Sequence, residues 1–294
     1  MAAALLALSE LNESSPEAFV AAVGDVFEHA AWVAEGAAGA RPYATVAALH
    51  DGMMAAVRAA SPELQLAFLR GHPELGGKVA RAGAMTDDSK AEQGGLGLDR
   101  LSDEEFDRFE RLNATYRQKF GFPFIIGVRR HTRDSILRNF ERRTHNSVEA
   151  ELKAAIDEIG FITRLRLVAK VDGPGKPKTE GRISTHILDT VAGKPAAGVK
   201  IALYEIGASA SALLTETMTN ADGRTDAPLV SGGPLRMGTY RLDFHIRDHF
   251  AAQGIADPPF LDIVPIRFSV AEPEGHYHVP LLVTPWSYST YRGS

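Results

Sequence analysis

Along the first 170 or so residues, apolar side chains recur at helical spacing. Ser14-Ser15-Pro16-Glu17 supplies a cap, a first-turn proline and an acid, and Phe19, Val23, Val26 and Phe27 then share one face. Thr45 precedes Val46, Leu49, Met53 and Val57, and Ser61-Pro62-Glu63 opens another helix. Ser102 and Glu105 form a capping box ahead of Phe106, Phe109, Leu112, Tyr116 and Phe120. Ser147 precedes Val148, Leu152, Ile156 and Ile159. No convincing alternation interrupts these runs, so the pattern predicts an all-α domain. Past residue 181 the period becomes two. Val199, Ile201 and Leu203 alternate, as do Tyr240, Leu242, Phe244 and Ile246, then Ile266, Phe268 and Val270, then Tyr277, Val279, Leu281 and Val283. Turn signals such as Asn220-Ala-Asp-Gly223 and Ser231-Gly-Gly-Pro234 separate them. Short strands at this spacing predict an all-β sandwich of about 110 residues.

Between the two patterns lies Asp172-Gly-Pro-Gly-Lys-Pro-Lys-Thr-Glu-Gly181, a Gly/Pro stretch that reads as a linker. The expected division is therefore 1–171, a linker at 172–181, and 182–294. A chain of 294 residues fits two domains. It has no Cys, which removes disulfide scaffolds, Cys-ligated zinc and thiol nucleophiles. The net charge of −5 argues against a phosphate-binding surface. The cluster Arg129, Arg130, Arg133, Arg138, Arg142 and Arg143 is interspersed with Asp134 and Glu141. It reads as a solvated helix face, and no nucleic-acid partner is expected. No window approaches 18 uninterrupted apolar residues, so no membrane span is expected. The apolar opening of the chain is short, lacks a basic start and reads as a helix start, so a cytoplasmic location is expected.

Of the histidines in the second half, His276 and His278 sit at i and i+2 on a predicted strand. They share one face, with Tyr277 on the other. This placement fits a solvated outer face, a zinc site with a third ligand such as His186, or a catalytic site. His245 and His249 belong to no motif. Ile183-Ser-Thr-His-Ile-Leu-Asp-Thr190, Asp222-Gly-Arg224, His276-Tyr-His-Val-Pro-Leu-Leu282 and the terminus Tyr291-Arg292-Gly293-Ser294 resemble 5-hydroxyisourate hydrolases of the transthyretin-like family. The resemblance covers residues ~182–294. It implies a two-sheet sandwich assembling as a homotetramer, with His186, Arg224 and His278 catalytic. His186 and His278 would activate water and shuttle protons, and Arg224 would stabilise oxyanion charge. His276, Tyr291, Arg292, Gly293 and Ser294 would hold the substrate.

In the helical half, Gly71-His72-Pro73-Glu74-Leu75 breaks the helix pattern, and proline pins His72 in extended backbone. Taken alone it is a helix–helix loop. Ser89-Lys-Ala-Glu92-Gln93 sets a carboxylate beside a carboxamide. Phe120-Gly-Phe-Pro-Phe-Ile-Ile-Gly127 is too apolar to be an exposed loop and must be buried. In this order the three segments resemble 2-oxo-4-hydroxy-4-carboxy-5-ureidoimidazoline (OHCU) decarboxylases over residues ~1–170. The resemblance implies an α-helical, commonly dimeric enzyme without a cofactor or metal. His72 and Glu92 would be an acid/base pair and Arg166, rather than Arg164, the substrate clamp. Pro73, Ser89, Gln93 and the segment Phe124, Ile125, Ile126, Gly127 and Val128 would contact the substrate. Because one family's product is the other's substrate, the two resemblances together imply a bifunctional enzyme acting on small-molecule substrates in urate degradation. The alternative is a transthyretin-like carrier fused to a helical oligomerisation domain.

Overall fold

The computed structural model describes residues 5–76, 92, 94, 96, 98, 102–208, 210–254 and 259–293. The chain divides into two compact units, Met1–Val128 with Ile136–Thr179, and Arg129–Ser135 with Glu180–Ser294. Among the described residues no helix is long and apolar enough to cross a membrane.

The first unit is helical. It contains α1 (Leu8–Glu13), α2 (Pro16–Val23), α3 (Ala31–Ala38), α4 (Val46–Ala59), α5 (Pro62–Arg70), α6 (Asp103–Phe120), α7 (Arg133–Arg143), which begins at the unit boundary, and α8 (Val148–Val168). The anticipated caps form. Thr45, Ser61 and Ser147 each accept a backbone N–H of their helix, and Ser102 with Glu105 closes the full capping box of α6. Two departures qualify a purely helical description. Leu6–Ala7 (β1) pairs in parallel with Val171–Asp172 (β2), a ladder too short to show periodicity in the sequence. The first part of the Gly/Pro stretch is also docked. The carbonyls of Pro174 and Gly175 accept the N–H groups of Val46 and Ala47 at 3.0 and 3.1 Å, supplying the orphan donors of α4. Gly175 has φ +58, and a side chain on Gly173 or Gly175 would run into Leu8 or Thr45.

The loop Phe120–Gly127 is buried as expected, with Phe122, Phe124, Ile125 and Ile126 all inside the core. Tyr116, Phe120, Phe122, Phe124 and Phe140 pack as one aromatic cluster. The fully buried Glu151 accepts hydrogen bonds from Tyr116, Arg143 and Asn146, and Arg143 also donates to the Ile125 carbonyl at 2.8 Å. The expectation of a solvated arginine face is therefore corrected at Arg143, and also at Arg130, which is 6% exposed. A buried carboxylate needs this pairing.

The second unit is built on β-sheets. Its strands are β3 (Gly181–Asp189), β4 (Lys194–Pro195), β5 (Lys200–Ile206), β6 (Ser211–Met218), β7 (Val230–Gly233), β8 (Gly238–His245), β9 (Ile263–Val270), β10 (His276–Val283) and β11 (Tyr288–Thr290). One sheet runs β11-β10-β3-β4 with β7 also on β3; the other runs β6-β5-β8-β9. Alternating residues such as Ile201, Leu203, Leu242, Phe244, Tyr277 and Leu281 fill the core between them. A short helix α9 (Arg247–Ala251) departs from the all-β expectation. Its His249, together with Gln253, bonds the buried Asp189, a structural role consistent with the lack of a motif there.

Two candidate active sites

In the β unit the site is a two-strand platform. β3 and β10 pair in parallel with His276 beside Arg182, His278 beside Ser184, and Pro280 beside His186. Period-two geometry puts Arg182, Ser184 and His186 on the face shared by His276 and His278. The opposite-facing Ile183, Thr185 and Tyr277 are buried, which fixes the register. Arg182, Ser184, Arg224, Asp226, His276 and His278 line an open pocket of about 770 Å³.

Ser184 Oγ lies 2.8 Å from His276 Nε2 and 3.0 Å from His278 Nδ1, and Arg182 reaches His276 Nδ1 at 3.3 Å. His186 is not part of this pocket wall. It bridges to Arg224, and its Nε2 is buried without a hydrogen-bond partner. Desolvation, then the Arg224 charge, holds the His186 imidazole below its ordinary pKa. His278 is lowered by desolvation, then by Arg224, His276, His186 and Arg182.

The terminal segment returns to this face. Gly293 N–H donates to the His278 carbonyl at 2.9 Å, and a Cβ on Gly293 would fall 2.7 Å from the His278 ring. Arg292 stacks on Tyr277, and Tyr291 is 59% exposed. Neither Tyr291 nor Arg292 lines the pocket, and Ser294 lies outside the described residues. Among the described residues no cluster of three His, Asp or Glu could hold a metal ion, so His186, His276 and His278 do not converge as ligands.

In the helical unit a pocket of about 530 Å³ collects His72, Pro73, Glu92 and Arg166 against Phe124, Ile125, Ile126 and Val128. His72 follows the end of α5 and packs edge-on against Phe68, with ring centroids 5.0 Å apart. Its Nδ1 lies 3.1 Å from the Phe68 carbonyl, so Nδ1–H donates and Nε2 is left as the acceptor. Desolvation is the main cause that lowers the His72 pKa; the Phe68 carbonyl and Glu28 oppose it. Arg166, near the end of α8, grips Glu92 with Nε to Oε1 at 3.1 Å and Nη2 to Oε2 at 2.9 Å. No hydrogen bond between His72 and Glu92 is found among the described residues; both line the same pocket, with Glu92 held by Arg166 and His72 held by its helix backbone. Gly127 does not line the pocket, and its N–H donates to Glu158 at 2.9 Å. Arg164 sits over Phe161 and is absent from the pocket wall. Ser89 and Gln93 lie outside the described residues.

Among the lining residues that sequence reasoning missed, Glu28, Arg182 and Ser184 carry charge or hydrogen bonds to the site. Glu28 is 7% exposed at its side chain and lies 3.6 Å from Arg166 Nη1. It sits just before His29, whose φ of 58 marks a turn without the Gly or Pro that would have signalled it. Arg182 and Ser184 could have been found from the i, i+2 spacing with His186.

The OHCU decarboxylase family model matches residues 12–168, and the HIUase/Transthyretin family model matches residues 183–293. The chain is 57% identical over 113 residues to a 5-hydroxyisourate hydrolase of Deinococcus radiodurans, covering 38% of this chain and 95% of that protein. It is 42% identical over 165 residues to a 2-oxo-4-hydroxy-4-carboxy-5-ureidoimidazoline decarboxylase of Haloferax volcanii, covering 56% of this chain and 96% of that one. A crystal structure of an (S)-allantoin synthase aligns over 98% of this chain and 100% of its own, with 32% identity and a TM-score of 0.52. With two matched families placed end to end on two compact units, this chain belongs to the OHCU decarboxylase family through its helical unit and to the HIUase/transthyretin family through its β unit.

Proposed function

We propose that this chain is a bifunctional enzyme of urate degradation. It hydrolyses 5-hydroxyisourate to OHCU and decarboxylates OHCU to (S)-allantoin. The observation that carries this reading is the end-to-end likeness to an (S)-allantoin synthase, with one match to a hydrolase and another to a decarboxylase on the two halves. The functional division we adopt is 1–171, a connecting segment 172–181, and 182–294.

In the hydrolase half, water adds to a ring carbonyl of 5-hydroxyisourate. His186 takes the water's proton, Arg224 stabilises the oxyanion, and the acyl C–N bond then breaks with the proton passing to the leaving nitrogen. His278 completes the catalytic set. His276 and the terminal Tyr291-Arg292-Gly293-Ser294 hold the substrate, a role supported by the contact between Gly293 and His278. The half-buried His186, with its pKa lowered and its Nε2 unpartnered, suits a base that is neutral at physiological pH.

In the decarboxylase half, the bond from the ring carbon to the carboxylate breaks, its electrons form a C=C bond to the neighbouring carbon, and the nitrogen of the former C=N bond takes a proton from water. The resulting enol collapses to the ring carbonyl as a proton arrives on the neighbouring carbon, so CO₂ leaves and no outside electron sink is needed. Nε2 of His72 accepts the hydroxyl proton, and the imidazolium can return a proton to one face. Arg166 and Glu92 clamp the substrate's polar groups, and Pro73, Ser89, Gln93 and the backbone of residues 124–128 orient it.

The working form we propose is a cytoplasmic homo-oligomer, tetrameric through the hydrolase half and dimeric through the decarboxylase half. The exposed Trp286 (62%) and Tyr291 (59%) support an interface on the β unit. Urate with urate oxidase, followed by absorbance and by circular dichroism of the product, tests the reaction. Added protein should speed decay of both intermediates and give optically active allantoin. Unchanged decay, or racemic product, overturns the reading. His72→Ala and Glu92→Ala should each abolish decarboxylation and spare hydrolysis.

A further inference from the structure

The contacts around His278 have a direction. Arginine carries donors and no acceptor, so Arg182 donates to His276 Nδ1. A neutral imidazole that accepts at Nδ1 holds its proton at Nε2, so His276 Nε2–H donates to Ser184 Oγ. The serine hydroxyl has one proton, and with Oγ accepting from His276 it turns that proton to His278 Nδ1. His278 must then carry its own proton on Nε2. The series is set by its donor-only end, because arginine stays protonated in proteins. It can fix a tautomer, and it cannot conduct a proton, since nothing replaces one drawn from Arg182.

His186 has the opposite arrangement. It is hydrogen-bonded to the backbone of Asp222, and its Nε2 is left without a partner. One imidazole of the site thus offers a lone pair and the other an N–H.

We infer that Arg182, His276 and Ser184 form a one-way hydrogen-bond series that locks His278 as an Nε2–H donor, so that His186 alone handles the proton and His278 hydrogen-bonds the developing oxyanion beside Arg224. Arg182 and Ser184 are positioning residues. The inference rests on the hydrolase reading above and divides its two histidines into different roles.

Imidazole ¹⁵N spectra of the full-length protein, with His278 assigned by loss of its signal in His278→Gln, test the tautomer directly. The expected result is a protonated Nε2 and an accepting Nδ1, and the reverse pattern overturns the inference. Kinetics test the roles. Ser184→Ala should lower hydrolase kcat about tenfold with little change in KM, and Ser184→Thr should restore it. A glutamine at 278 keeps an N–H but cannot shuttle a proton, so His278→Gln should exceed His278→Ala at least about tenfold. His186→Gln should be no better than His186→Ala. Equal loss in both His278 variants, or wild-type rates in Ser184→Ala, overturns the assignment. Decarboxylase activity of the same chains reports that each is folded. If the wild type fails to hydrolyse 5-hydroxyisourate, the hydrolase reading fails, while the ¹⁵N pattern still decides the tautomer.

Discussion

Arg166 meets Glu92 fork to fork, with its remaining terminal nitrogen 3.6 Å from Glu28. The guanidinium plane is therefore set before substrate arrives, between two carboxylates in a pocket whose remaining walls are apolar side chains together with His72 and Thr163. A planar fork held this way is not replaceable by a point charge. Arg166→Lys should cost decarboxylation at least about 100-fold in kcat/KM, and Arg164→Ala far less. Single-turnover decay of OHCU measures both. A dead Arg164→Ala beside an active Arg166→Lys would reverse the assignment.

Glu28 acts on His72 through charge. Burial lowers the histidine's pKa, and Glu28 pulls it back up. The base role proposed for His72 needs the unprotonated ring, so decarboxylation should fall as pH drops through that pKa. Removing the carboxylate in Glu28→Gln should move the acidic limb of the kcat/KM profile to lower pH and reduce the plateau about tenfold. An unmoved limb, or one moved upward, would detach Glu28 from His72.

The chain terminus should be intolerant of small changes. Gly293→Ala places a methyl group against the His278 ring, so the tail must shift. Hydrolase kcat/KM should fall by about tenfold or more, and deletion of residues 291–294 should cost at least roughly 100-fold, or ~2.7 kcal/mol of transition-state stabilisation. Decarboxylase activity in the same samples should be unchanged. Full hydrolysis by the truncated chain would remove the tail from the site.

His50 predicts a pH-dependent stability. It is 7% exposed, meets Thr163 at 3.0 Å, and burial depresses its pKa from 6.5 to about 4. The unfolded chain therefore binds the proton first as pH falls. The group's contribution is fully present above about pH 6.5 and is lost on descending toward pH 4, a change on the order of 3 kcal/mol. Urea unfolding of wild type and His50→Gln at pH 7 and pH 4.5 measures it. The variant should lose less stability between those two values; parallel curves would refute the linkage.

Much of this was legible because caps and periodicity are local. Ser102, Glu105, Thr45 and Ser147 announce their helices in the sequence, and Tyr277 shows which face of β10 turns inward. What escaped was set by partners distant in the chain. Arg143 looks like a surface arginine until Glu151, Tyr116 and the Ile125 carbonyl surround it. Gly173 and Gly175 look like slack until α4 needs acceptors for its first N–H groups. Glu28 reaches the decarboxylase pocket from a turn with no glycine or proline to mark it, and His72 takes its partner from its own helix backbone rather than from Glu92.

The pleat of β3 and β10 separates two kinds of information. Ile183, Thr185, Ile187 and Tyr277 hold the sheets together, while Arg182, Ser184, His276 and His278 face out into the pocket. Substitutions at the outward positions leave the buried interleaf untouched, where most of a sandwich's stability lies. Hydrolase specificity can therefore be rewritten by selection, or by a designer, one residue in two along these strands, with the fold carried forward unchanged by the residues between.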